Sequence, residues 1–193
     1  MIKAVIFDFF GVVCSDEYWR FVGHDKQTAG VLRDITDEVN SGQLSWREFM
    51  GKVAKAAGKS LAEVETMYRT EKIHPELLAY IHDLSGRYKT ALLTNAHHDF
   101  IEPLMERSRL ADFFDAVVIS SRVGAIKPNA AIFRYALKKL GVRPEEAVMV
   151  DDLKRHVAGA RAVGLHTVLY KNFHQMRGEL GALLADSKNQ PPV

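Results

Sequence analysis

The sequence predicts an α/β fold, a doubly wound parallel sheet of the Rossmann-like type with a small α-helical cap inserted after strand one. Five short runs rich in Val, Ile and Leu are nearly continuous in hydrophobicity, which is typical of strands buried on both faces of a parallel sheet. Segments with apolar residues at helical spacing separate most of these runs. One long stretch after the first run has helical patterns but no convincing strand.

The predicted strands and helices alternate along most of the chain. The strands are predicted at residues 2–7, 90–94, 116–120, 147–150 and 166–170. The helices between them are predicted at residues 75–87, 129–140 and 153–163. Gly141 and Gly164 follow the last two helices, where glycine commonly ends a helix. This alternation favours a doubly wound sheet.

The predicted domain organisation is an α/β core interrupted by the cap. Residues 1–13 and 75–185 form the core, and residues 14–74 form the cap. Within the cap, residues 44–57 and 61–68 have helical patterns on either side of Gly58. Residues 186–193 are polar and contain two prolines, so we expect a disordered tail.

Composition limits the possible partners and the compartment. The chain has 193 residues, 47% of them hydrophobic, which suits one core plus a small insertion. Its 26 basic and 24 acidic residues are scattered, which disfavours nucleic-acid binding. Cys14 is the only cysteine, there is no signal-peptide pattern, and no apolar run could span a bilayer. We therefore expect a cytoplasmic protein, a monomer or homodimer, without a membrane partner.

Polar side chains follow four of the predicted strands. They are Asp8 after the first strand, Thr94 and Asn95 at the end of the second, Lys127 after the third, and Asp151 and Asp152 after the fourth. Each alone could be a helix cap or a loop residue. Because ligands bind beyond the carboxyl ends of such strands, the set together predicts a nucleophile, a divalent-cation site and a cation that neutralises an anion.

In order and in strand context, these residues resemble four motifs of the haloacid dehalogenase superfamily, which includes many phosphatases. The resemblance extends to about residue 173 and is closest to the small-helical-cap branch, similar to the phosphatase domain of soluble epoxide hydrolases. It implies that Asp8 is the covalent nucleophile and that Thr94 and Asn95 bind the phosphate. It also implies that Lys127 neutralises the nucleophile and the transferring group.

The same resemblance implies a Mg²⁺ cofactor. Its ligands would be Asp8, the backbone carbonyl of Phe10 and the acidic pair Asp151 and Asp152, with Asp152 as the direct ligand of the pair.

Two positions depart from the phosphatase pattern. Related phosphatases carry an aspartate as general acid and base two residues after the nucleophile, and here that residue is Phe10, which cannot transfer a proton. Haloacid dehalogenases also have an aromatic residue there, but they work without metal and usually lack the acidic pair. His156 stands where an asparagine is common. His97 or His98 could supply the missing proton.

The predicted function is Mg²⁺-dependent cleavage of a small phosphorylated metabolite by a hydrolase with weakened acid–base catalysis. A 2-haloacid dehalogenase and a catalytically degenerate protein that binds a phosphorylated ligand are the alternatives.

Overall fold

A five-stranded parallel sheet forms the centre of the computed structural model, which describes residues 1–15, 26–67 and 72–186. The strands are β1 (Ala4–Phe7), β2 (Lys89–Thr94), β3 (Ala116–Ile119), β4 (Ala147–Asp151) and β5 (His166–Leu169). Their order across the sheet is β3-β2-β1-β4-β5. The predicted fold class and all five predicted strands are confirmed, with ends that differ by at most two residues.

The central strand β1 determines the position of Asp8 at the carboxyl edge of the sheet. Phe7 of β1 pairs with Leu92 of β2 on one side and with Val150 of β4 on the other. Every residue of β1 and β4 is buried, as expected for strands covered on both faces. Asp8 therefore leaves the sheet between the carboxyl ends of its two neighbours.

The helices form two layers and a cap. In chain order they are α1 (Lys26–Asn40), α2 (Trp46–Ala57), α3 (Leu61–Met67), α4 (Pro75–Ser85), α5 (His98–Ser108), α6 (Ser120–Val123), α7 (Ala130–Leu140), α8 (Lys154–Ala162) and α9 (Phe173–Asp186). Buried residues of α4, α5 and α9 join one hydrophobic cluster with Val5 and Phe7. Buried residues of α7 and α8 join the other with Ala4 and Ile6.

Helix α9 was not predicted from the sequence. Met176, Leu180 and Leu184 are buried at four-residue spacing, and this apolar stripe holds the helix against the sheet. Asp186, the first residue of the predicted tail, is the last residue of α9. Residues 187–193 lie outside the described residues.

In the described part of the segment between β1 and α4, the helices α1, α2 and α3 have a hydrophobic cluster of their own. Leu32, Val39, Phe49 and Val53 are among its buried members. A capping box starts α2, since Ser45 accepts a hydrogen bond from Glu48 N and the Glu48 carboxylate returns to Ser45 N. Residues 16–25 and 68–71 lie outside the described residues, and the cap boundaries at 14 and 74 stay a prediction.

The turn after α1 rests on the core. The Ser120 hydroxyl donates to the Asn40 carbonyl at 2.6 Å. Gly42 has φ +80°, and a Cβ there would lie 2.8 Å from the Ser121 carbonyl oxygen, so this contact requires glycine. The turn thereby places α1 over the carboxyl edge of the sheet. Across the described residues, every helix falls short of the length and apolar character needed to cross a bilayer.

Candidate active site

A cavity of about 530 Å³ opens between the carboxyl edge of the sheet and α1. The sheet edge and the loops beyond it contribute Asp8, Phe10, Asn95, Lys127, Asp152, Leu153, Arg155 and His156. One face of α1 contributes Ala29, Leu32, Arg33, Thr36, Asp37 and Asn40. The structure thus brings most of the predicted site residues to one cavity.

Lys127 joins two carboxylates inside the protein. Its side chain is buried, and Nζ lies 2.7 Å from Asp8 Oδ1 and 2.7 Å from Asp151 Oδ2. Burial alone would lower the pKa of Lys127, but the two carboxylates outweigh burial and raise it above its ordinary value. The ammonium therefore stays charged between them.

The backbone around Lys127 is held from two sides. Asn95 Nδ2 donates to the Lys127 carbonyl at 3.0 Å, and Lys127 N donates to Asn95 Oδ1 at 2.8 Å. The Lys127–Pro128 peptide is cis, and Gly159 of α8 packs so closely that a Cβ there would lie 2.6 Å from the Pro128 carbonyl oxygen. Asn95, predicted to bind phosphate, thus also positions the lysine.

Burial and the contact with Lys127 act in opposite directions on the pKa of Asp8. Its Oδ1 accepts hydrogen bonds from Phe9 N at 2.6 Å and from Lys127 Nζ. Burial raises the pKa of Asp8 well above its ordinary value; Lys127 opposes this rise, and the negative charge of Asp151 adds to it.

Asp151 has the opposite behaviour because three donors satisfy it. Lys127 Nζ, Leu153 N at 2.9 Å and His156 Nδ1 at 3.0 Å all approach its oxygens. Burial would raise the pKa of Asp151, but Lys127 and His156 outweigh it and hold that pKa far below its usual range. Of the two carboxylates that share the lysine, Asp151 keeps its negative charge and Asp8 takes a proton first.

Oxygen donors that suit a hard cation line the same cavity. Asp8, Phe10 and Asp152 border it, and they offer two carboxylates and a backbone carbonyl, the ligand types that Mg²⁺ prefers. Gly11, at φ +78°, makes room for Asp152, because a Cβ there would lie 2.5 Å from Asp152 Oδ2. The oxygens of Asp151 are already committed to three donors, so Asp152 is the member of the acidic pair that is better placed as a ligand.

A second combination of possible ligands is less suitable. Ligand atoms of Asp8, Asp151 and His156 lie within 4.8 Å of one another. However, Lys127 Nζ already contacts both carboxylates, and its charge would repel a metal ion at that position.

The Thr94 hydroxyl and the Nε2 atom of His156 are buried polar atoms that lack a hydrogen-bond partner within the described residues. The Thr94 hydroxyl is fully buried at the end of β2, and Nε2 of the buried His156 is in the same condition. Such atoms are rare in proteins, and each requires an explanation such as a bound ligand, ion or water. They lie on residues that the sequence associates with phosphate binding and with the acidic motif.

The Phe10 ring belongs to a stack that connects the core with the cap. It packs edge-on against Phe9, with ring centroids 4.7 Å apart, and stacks on Phe100 at 6.1 Å. Phe100 in turn stacks on Trp46 of α2 at 5.0 Å. The ring therefore has a packing role at the position where related phosphatases place a proton donor.

The two candidate replacement acids lie elsewhere. His97 Nδ1 accepts a hydrogen bond from Asp99 N as the N-cap of α5, and burial and the charge of His98 lower the pKa of His97. His98 Nδ1 lies 3.0 Å from Ser121 Oγ. Neither histidine borders the cavity around Asp8, whereas His156 does.

Sequence reasoning missed the residues that α1 adds to the cavity and Arg155 of α8, whereas it singled out His156. Arg33, Thr36, Asp37 and Asn40 recur at spacings of three and four, so a polar face of a helix could have been found. That this face covers the cavity depends on tertiary packing, for which a single sequence has no signal. Arg155 likewise has no motif.

Comparisons with known proteins agree on one family. Residues 2–164 match the profile of a hydrolase family described as haloacid dehalogenase-like hydrolase. The chain is 34% identical over 128 residues to a phosphoserine phosphatase of Thermus thermophilus, which covers 64% of this chain and 51% of that protein. The chain thus spans about half the length of that relative.

Two further similarities cover nearly whole chains. The chain is 26% identical over 210 residues to a D-ribitol-5-phosphate phosphatase of Bacteroides thetaiotaomicron, covering 95% of this chain and 99% of that one. A solved structure of a predicted HAD-like family hydrolase from Porphyromonas gingivalis superposes with a TM-score of 0.79 at 27% identity, covering 95% of this chain and 98% of that one.

Proposed function

Because the chain belongs to the haloacid dehalogenase-like hydrolases, we propose that it is a phosphatase that attacks a small phosphorylated metabolite with Asp8. That it is a hydrolase follows from the family and from relatives that are phosphatases. The observation that supports the finer proposal best is the buried contact between Lys127 Nζ and Asp8 Oδ1 at 2.7 Å, at the wall of the cavity.

The residues of the cavity divide the work of phosphoryl transfer. The Asp8 carboxylate and a phosphate dianion repel each other, and Lys127 offsets that repulsion. Since Phe9 N and Lys127 both hold Oδ1, we assign the attack to Asp8 Oδ2. Asp151, which keeps its charge, holds Lys127 in place, and the Thr94 hydroxyl is available to a phosphate oxygen.

The donor set fits a Mg²⁺ ion held by Asp8, the Phe10 carbonyl and Asp152. When bound, this ion would supply positive charge that further reduces the repulsion between carboxylate and phosphate. Gly11 supports the assignment, because it is the residue that leaves room for the Asp152 carboxylate.

Phe10 affects which esters can be cleaved. A positioned general acid contributes roughly 10²–10⁴-fold to rate, and a phenyl ring cannot provide it. We therefore expect the enzyme to prefer good leaving groups, such as acyl and aryl phosphates. As parts of the same proposal, the partner is a small phosphorylated molecule and the location is cytoplasmic, which suits a sequence with one cysteine.

A substrate screen tests the proposal. Phosphate esters and 2-haloacids are assayed with and without Mg²⁺, using the wild type, Asp8→Asn and the exposed control Asp83→Asn. We expect phosphate release that requires Mg²⁺, persists in Asp83→Asn and is lost in Asp8→Asn. Halide release without metal would support the dehalogenase alternative, which the aromatic Phe10 favours. No release from any compound would leave a binding role.

A further inference from the structure

Two arginines border the cavity, and among the described residues no carboxylate pairs with either of them. Arg33 lies on α1, and Arg155 lies in the first turn of α8. Considering residues 1–15, 26–67 and 72–186, neither side chain makes a hydrogen bond or an ion pair. Some exposed arginines are paired, such as Arg122, which binds the Glu102 carboxylate through two nitrogens at 3.0 and 2.8 Å. Others, such as Arg47, have no such partner among the described residues, so it is their place at the cavity that distinguishes Arg33 and Arg155.

The two guanidinium groups come in addition to the cations beside the nucleophile. Lys127 and the cation that Asp8 and Asp152 would hold lie there, and the carboxylates of Asp8, Asp151 and Asp152 already share their positive charge. Arg33 and Arg155 come from different elements, the cap helix above the cavity and the helix that follows the acidic pair. A substrate whose only charge is the transferred phosphate would leave both of them without a partner.

We infer that the leaving group of the substrate carries a second anionic group, a carboxylate or another phosphate, bound by Arg33 and Arg155; this rests on the proposed function. Guanidinium groups bind both of these anions through paired hydrogen bonds. The volume of about 530 Å³ is within the range of small-molecule sites and exceeds what one phosphate fills.

Replacing Asp37 should have the opposite effect to replacing either arginine, because Asp37 is negatively charged. It lies one turn after Arg33 on the same face of α1, it is exposed, and no hydrogen bond or ion pair joins it to the arginine. Its negative charge opposes an anion in this part of the cavity. Replacing it with asparagine should therefore strengthen the binding of the second anionic group.

The experiment compares kcat/KM within two substrate pairs whose members differ in one anionic group. 3-Phosphoglycerate is compared with glycerol 3-phosphate, and ribose 1,5-bisphosphate with ribose 5-phosphate, all with Mg²⁺. Charged hydrogen bonds of this kind correspond to a preference of about 10-fold or more for the doubly anionic member of a pair. A preference in only one pair identifies the second group as carboxylate or as phosphate.

Variants show which residues cause the preference for the doubly anionic substrate. Arg33→Gln and Arg155→Gln should each reduce it, mainly through KM, while Asp37→Asn should increase it. Arg47→Gln, an exposed arginine of α2 outside the cavity, is the matched control and should leave it unchanged. Melting curves confirm that each variant is folded.

Equal kcat/KM values within both pairs for the wild type would overturn the inference. So would a preference that survives in the double variant of Arg33 and Arg155. If no ester is cleaved at all, the proposed function fails instead. The pairs are then compared by calorimetric binding to Asp8→Asn with Mg²⁺, where equal affinities within each pair overturn the second anion site.

Discussion

Lys127 determines how the two buried carboxylates beside it divide their roles. Asp151 has three donors and stays ionised, whereas Asp8 has a backbone amide and the shared ammonium. A nucleophile must be ionised to attack but must not be so stabilised that it is unreactive. For Asp8 as the proposed nucleophile, the unequal sharing of one lysine meets both requirements, because it leaves Asp8 as the more basic carboxylate.

Replacing Lys127 with methionine should destabilise the fold and abolish activity. It would leave Asp8 and Asp151 buried without their cation, and breaking a buried ion pair typically costs about 3–5 kcal/mol. Urea denaturation at pH 7 measures the change in the free energy of unfolding. The control is Lys138→Met, an exposed lysine on α7, expected within about 0.5 kcal/mol of the wild type. Equal stability of the two variants would contradict the account.

Replacing Phe10 with aspartate should raise the hydrolysis of alkyl phosphates more than that of aryl phosphates, because only the poor leaving group needs a proton. The variant also loses the contacts with Phe9 and Phe100, and burial of such a side chain is worth roughly 1.5–3 kcal/mol, so rates are compared per folded molecule. Phe10→Asn is the control, because asparagine resembles aspartate in shape but cannot donate a carboxyl proton. Equal rates of alkyl phosphate hydrolysis in Phe10→Asp and Phe10→Asn would refute the idea that a general acid is missing at this position.

At the scale of elements, helix α8 positions the lysine through backbone contact. Gly159→Ala would place a methyl group 2.6 Å from the Pro128 carbonyl oxygen, so the loop that carries Lys127 must shift. We expect a loss of about 1–3 kcal/mol in stability, as for other overpacked sites, together with a lower kcat. Thermal melting and turnover measure both effects.

Gly178→Ala is the matched control for this substitution. Gly178 lies in α9, and a Cβ there meets nothing within 4 Å, so alanine should stabilise the helix by roughly 0.5–1 kcal/mol. If Gly159→Ala were equally harmless, the close contact with Pro128 would have no energetic importance.

Glu146 connects the start of β1 with the start of β4, and its contribution should depend on pH. Hydrogen bonds from Lys3 Nζ and from Arg143 N lower the pKa of Glu146 to about 2. Because the folded pKa lies below the unfolded value of about 4.3, the stabilisation is present above pH 4.3 and is lost as the pH falls through about 2.

Glu146→Gln should therefore melt at a lower temperature than the wild type at pH 7, and the difference should shrink over that acid range. The control is Glu145→Gln, whose partner Arg143 Nε lies 3.1 Å away on the surface. A difference in melting temperature that stays constant from pH 7 to pH 2 would show that the carboxylate charge is irrelevant.

The sequence predicts elements where local pattern and burial coincide. β1 and β4 are continuous apolar runs because both their faces are covered, and Asp8 and Asp151 were identified because they end or follow those strands. Helix α9 escaped prediction because Gly178 and Gly181 lower the helix propensity of this segment. Arg33 and Arg155 reach the site only through the packing of helices on the sheet, which local pattern does not encode.

At the scale of the whole molecule, the described contacts that join the cap helices to the core beside the cavity include the following two. One is the aromatic stack from Phe10 through Phe100 to Trp46. The other is the hydrogen bond from Ser120 to the Asn40 carbonyl at the end of α1. Because the cavity lies between the sheet and α1, the geometry of the site depends on both contacts.

Ser120→Ala should loosen this attachment. The hydroxyl donates to the Asn40 carbonyl at 2.6 Å and accepts from Ala96 N at 2.9 Å, so its loss leaves buried partners unsatisfied at a cost of about 1–3 kcal/mol. We expect KM to rise more than kcat falls, measured by steady-state kinetics alongside melting. Ser85→Ala, whose exposed hydroxyl bonds only within its own turn, should change neither.

The face of α1 that covers the cavity has a consequence for how such a hydrolase can diverge. Arg33 and Asp37 are exposed there, and exposed positions usually tolerate substitution within about 0.5 kcal/mol. The proposed nucleophile Asp8 and its partner Lys127 belong to a different part of the chain, at the carboxyl edge of the sheet. A duplicated gene could therefore acquire a new substrate by one or two codon changes in a single helix, while the inherited chemistry stays intact.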